Sequence, residues 1–67
     1  MRVNFEKLQI DLIKEIYNQE MTANELCKDL NVSYQVYKNI GESADIRVGN
    51  LLKFINWLGK DANTYIQ

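Results

Sequence analysis

Between Ser33 and Asn39 the chain carries Ser33, Tyr34, Gln35, Val36, Lys38 and Asn39, a run of hydroxyl, amide, apolar and ammonium groups with no carboxylate. These groups suit the edges and phosphates of a nucleic-acid duplex. A glutamine amide pairs with the N7 and N6 groups of adenine, a valine methyl meets the thymine methyl, and hydroxyl, amide and ammonium groups bond to phosphate oxygens. Ser33, Tyr34, Gln35 and Val36 are the candidate base contacts, and Lys38 and Asn39 are candidate phosphate contacts. Thr22 and Asn24 join the phosphate set because they stand where a helix is expected to start, and free amides at a helix N-terminus favour an anion. Arg47, at the opening of another expected helix, completes the set.

Other chemistries have little to work with. The chain has no histidine and a single cysteine, Cys27. A disulfide scaffold, the common zinc sites and the usual neutral-pH general base are therefore missing. No nucleophile–base pair, metal cluster or phosphate loop can be assembled, so neither an enzyme nor a cofactor, metal or small-molecule ligand is expected. Cys27 reads as a small buried residue rather than a reactive thiol. The N-terminal residues meet charge before any signal-like apolar run, and no stretch approaches the roughly 20 apolar residues of a membrane span. These features lead to the expectation of a soluble, cytoplasmic protein in a reducing compartment.

The elements that must position the candidate residues are helical. Sixty-seven residues allow one domain, 1–67. Phe5, Leu8, Leu12 and Ile16, with Ile13 beside them, predict an amphipathic helix over about 4–19. A second apolar line, Val3, Ile10 and Tyr17, runs along the same helix. Thr22-Ala23-Asn24-Glu25 has the capping-box pattern and predicts a helix start at Thr22, with Leu26, Cys27 and Leu30 inward. Asn31 tolerates the positive φ needed to reverse the chain, and Ser33 is the N-cap of the next helix, whose inner residues are Tyr37 and Ile40. Gly41 is its expected stop. After the polar connection 42–45, Val48, Leu51, Leu52, Ile55 and Leu58 mark a helix ending near Gly59, broadened by Phe54 and Trp57. Asp61 is expected to cap a last short helix over 62–66.

The unit from about 22 to 41 is thus two short helices joined by Asn31-Val32, spaced for a steep crossing. Its sequence, Thr22-Ala23-Asn24-Glu25-Leu26-Cys27-Lys28-Asp29-Leu30-Asn31-Val32-Ser33 followed by Tyr37 and Ile40, resembles the helix-turn-helix of Cro/CI (Xre-type) repressors. The segment 51–59 is similar to that family's Leu-rich helix, and the closing segment 61–66 to its last helix. The resemblance implies an all-α, compact four- to five-helix lambda-repressor-like domain. It further implies a sequence-specific regulator of phage or bacterial origin that binds double-stranded operator DNA, usually as a homodimer.

Charge bears on this reading. Eight Lys and Arg against nine Asp and Glu give a net charge of −1, which supplies little non-specific grip on phosphates. Lys38 is the only charged residue from Asn31 to Gly41, and Arg47, Lys53 and Lys60 occur without an acid between Ile46 and Lys60. The acids lie mostly in the first thirty residues. A homodimer is expected to form either through Phe54, Trp57, Tyr65 and Ile66 or through the Val3–Ile10–Tyr17 line. The alternative function is a repressor-like fold used as a protein-interaction module, such as an antirepressor or an inhibitor of a host protein.

Overall fold

The computed structural model describes residues 2–42 and 46–66. Four α-helices follow one another: α1 (Phe5–Asn18), α2 (Ala23–Leu30), α3 (Tyr34–Gly41) and α4 (Val48–Trp57), with a 3-10 turn at Ala62–Thr64. The fold is all-α. Among the described residues the only extended pairing is an isolated antiparallel bridge between Val3 and Ile66.

Helix α1 starts where the Asn4 side chain accepts from the amide of Lys7 at 3.1 Å. Leu8, Leu12 and Ile16 form its buried row. Ile13, expected beside that row, instead lies 52% exposed. One residue turns the helix by 100°, so Ile13 points well away from Leu12 and is not among the described residues packed against the core. The helix closes with Glu20 in the left-handed region (φ 53) and the amide of Met21 donating to the carbonyl of Ile16 at 3.2 Å.

The start of α2 is doubly tied. Thr22 Oγ1 accepts from the amide of Glu25 at 3.2 Å, and Glu25 Oε1 accepts from the amide of Thr22 at 3.0 Å. Its end is Asn31, left-handed at φ 57 and ψ 46, after which the amide of Val32 donates back to the carbonyl of Cys27 at 2.9 Å. Cys27 is buried, and burial pushes its thiol above the usual range, which keeps it protonated.

Helix α3 packs against both α1 and α2. It continues through Gly41 to a cap at Glu42, so the expected stop at Gly41 is displaced by one residue. The glycine has a different use: a Cβ there would stand 2.5 Å from Nε2 of Gln9, so its absence marks the close approach of α3 to α1. Of the connection expected at 42–45, residues 43–45 lie outside the described residues.

Helix α4 buries Leu51, Phe54 and Ile55 and ends at Leu58, with Gly59 at φ 72 reversing the chain. The last helix expected over 62–66 is shorter and tighter, a single 3-10 turn capped by Asp61, whose carboxylate accepts from the amide of Asn63 at 2.9 Å. A segment this short holds its shape only by docking. Docking is supplied by Tyr65, fully buried, whose hydroxyl donates to Asp11 Oδ2 at 2.7 Å while its carbonyl accepts from the amide of Asn4 at 2.7 Å. The nonpolar environment, then the bond to Asp11 and its charge, raise the Tyr65 phenol well above its usual range. The segment around Tyr65 is thereby fastened to α1 and to the residue that caps it.

Candidate nucleic-acid interface

Helix α3 is held from below by its own inner residues. Ile40 is buried, and Tyr37 is half-buried with its ring centroid 6.3 Å from that of Phe54. Burial, followed by the charges that Tyr34 and Cys27 would carry, raises the Tyr37 phenol. It remains a neutral core residue. With Tyr37 and Ile40 turned inward, the exposed face of α3 begins at Ser33 and carries Tyr34, Gln35 and Lys38.

Ser33 occupies the N-cap position with extended backbone, but its side chain makes no capping bond. Its hydroxyl is therefore free, as are the amides of Tyr34 and Gln35, while that of Val36 donates to the Ser33 carbonyl at 3.1 Å. Tyr34 is 46% exposed, and its ring is tilted against that of half-buried Tyr37 at 5.9 Å between centroids, so it is supported from the core side. Gln35 Nε2 donates to Asn39 Oδ1 at 2.9 Å. That bond uses one of the two Gln35 N–H groups and leaves the other beside a free Oε1, the donor–acceptor couple that matches an adenine edge.

Two candidates sit differently from expectation. Val36 is half-buried and packs against the core, which turns it off the face carrying Tyr34 and Gln35. It has little surface left for a base methyl. Asn39 is also half-buried and supports Gln35 through their mutual bond while keeping its own amide N–H groups. The Gln35–Asn39 pair was the contact that sequence reasoning missed. Its signal is the spacing of four on a helix, which places two side chains one above the other.

Of the outlying candidates, Thr22 and Asn24 are exposed at the first turn of α2. The Thr22 hydroxyl already accepts from the Glu25 amide but keeps its own proton to donate to an acceptor such as a phosphate oxygen. Arg47 is exposed at the N-cap position of α4, beyond residues 43–45, and makes no capping bond. Within 22–41, Lys28 and Lys38 are offset by Glu25 and Asp29. Attraction to phosphates is therefore local to the start of α3, where no acid precedes Lys38 and the nearest in sequence, Glu42, lies one turn beyond it.

The expected pairing surface at the C-terminal end is largely closed. Phe54 and Tyr65 are each 0% exposed within the hydrophobic core, so they have nothing to offer a second copy. Trp57 is half-buried against the same core, and Ile66 is half-buried at its bridge to Val3. On the other line, Val3 is half-buried in its bridge to Ile66, while Ile10 and Tyr17 remain open to solvent.

Among the described residues no group of three His, Cys, Asp or Glu could hold a metal ion, and no helix is long and apolar enough to cross a membrane. In comparisons with known proteins, no family model, no curated protein and no solved structure matches the chain.

Proposed function

We propose that the chain is a sequence-specific DNA-binding regulator of the Cro/CI type, with α2 and α3 as its helix-turn-helix and α3 as the helix that enters the major groove. The observation that carries this reading is the outer face of α3: Ser33, Tyr34, Gln35 and Lys38 project from a helix fixed on two others, free of carboxylates and with the Gln35 amide already oriented. Side chains near the start of a recognition helix are the ones that reach base edges. Gln35 reads adenine, Ser33 and Tyr34 donate to bases or phosphates, and Lys38, with the Asn39 amide, holds the backbone. The first turn of α2, with Asn24 and the amide end of the helix, meets a neighbouring phosphate.

Regulation follows from occupancy of the site, in cytoplasm, by two copies on a repeated half-site. With a net charge of −1, affinity depends on these specific contacts more than on a general field. The test is selection of bound duplexes from a random-sequence pool at low salt, followed by salt titration of the selected site. Wild type enriches a defined sequence, and Lys38→Ala lowers the slope of log K against log salt by about one. A pool that emerges without enrichment rejects the reading.

A further inference from the structure

Helix α1 turns one row of side chains to the core and leaves another uncovered. Ile10, Ile13 and Tyr17 are 45%, 52% and 83% exposed, and their spacing of three and four places them in one stripe along the helix. This spacing is the seam of a helix pair. Glu6 lies one turn before Ile10 on the same stripe and Lys14 one turn after it, at the stripe's edge, both exposed. Next to the stripe's N-terminal end is an open hollow of about 320 Å³ lined by Asn4, Glu6, Lys7 and Ile10.

We infer that this stripe binds a second copy of the chain, with the two α1 helices antiparallel about a twofold axis between Ile10 and Ile13. Setting Ile10 opposite Ile13 of the second copy places Tyr17, the most exposed apolar residue, opposite Glu6, at the mouth of the hollow. The surface is self-complementary: the projecting ring at one end of the stripe meets the recess at the other. Lys14 of each copy then stands three residues, about 4.5 Å along the axis, from Glu6 of the other, within reach of a lysine side chain. A parallel pairing would set Glu6 beside Glu6 and Lys14 beside Lys14. Three side chains exposed to this degree cover roughly 400 Å² per copy, about 800 Å² in all, which is below the roughly 1,200 Å² of a stable interface and in the range of weak, transient ones. The dimer is accordingly weak and its population depends on concentration.

This inference stands apart from DNA binding, and its test uses no DNA. Sedimentation velocity of the full chain from micromolar to millimolar concentration, with circular-dichroism melts as a control for folding, reads it directly. Wild type shifts from monomer to dimer. Ile13→Glu and Tyr17→Ala raise the dissociation constant at least tenfold while keeping the fold, because neither side chain is buried in the single copy. Glu6→Lys and Lys14→Glu each weaken association, and the double variant restores it. A chain that stays monomeric at millimolar concentration overturns the inference, as does a dimer unaffected by Ile13→Glu and Tyr17→Ala. Failure of the double variant to recover overturns the antiparallel register.

Discussion

The outer faces of α3 and α1 are both exposed and both rest on one core, yet they are chemically opposite. On α3 the residues left outside are hydroxyl, amide and ammonium groups, whereas on α1 two isoleucines and a tyrosine form an apolar stripe flanked by charged residues such as Glu6 and Lys14. A helix must bury one row; the composition of what remains is free to serve a partner. The α3 face suits a surface that supplies hydrogen-bond donors and acceptors at fixed spacing, and the α1 face suits one that excludes water. One small domain thus presents two unlike surfaces on helices locked together at Gly41 and Gln9.

Removing the shared support should abolish both faces together. Phe54 fills the centre, and Phe54→Ala is expected to cost about 3–5 kcal/mol, against a total stability on the order of 3–10 kcal/mol for a chain of this size. The thermal transition should be lost or nearly so, along with every binding activity. Gln35→Ala separates the faces: discrimination at one base pair falls by about 1–3 kcal/mol, measured as the ratio of affinities for selected and substituted duplexes. Self-association and melting temperature stay as in wild type.

The remaining effects are smaller. Tyr65→Phe removes the hydroxyl bond to Asp11 and should cost about 1–2 kcal/mol at neutral pH, measured by chemical denaturation. The same group gives a pH signature. Because the folded phenol is raised above its unfolded value, its stabilising contribution is complete below about pH 10 and declines as pH rises beyond that. Wild type should therefore lose stability in alkaline solution more steeply than Tyr65→Phe. Thr22→Ala breaks the capping box and should cost about 1 kcal/mol, with the first turn of α2 showing faster amide exchange while α1 is unchanged.

Local signals in the sequence were the most legible. Thr22 and Glu25 form both reciprocal bonds of the box, and Asn31 has the positive φ that its position requires. Each depends on residues within one turn, so it is set chiefly by local geometry. Features set by packing between elements were read less well. Gly41 resembled a stop because glycine often ends helices, but its space is taken by Gln9 from α1. Ile13 resembled core because it adjoins Leu12, but among the described residues it is left 52% exposed. Tyr65 looked available at the chain's end until its contacts with Asp11 and Asn4 showed it closed into the fold.

The candidate site followed the same division. Ser33, Tyr34, Gln35 and Lys38 lie outward because Tyr37 and Ile40 lie inward, which periodicity alone gives. Val36 departed because α3 is supported from two sides, and a broader arc of it is covered than two inner residues suggest. The Glu20 turn, with positive φ at a residue that rarely adopts it, had no signal in composition.

The contrast between the two faces is tested most directly by NMR titration of the full chain with its selected duplex, following backbone and side-chain amides. The largest shifts should fall on residues 33–39, including the Gln35 and Asn39 side-chain amides, and on the first turn of α2. Shifts concentrated on residues 10–17, with α3 unmoved, would contradict the assignment of α3 as the reading helix.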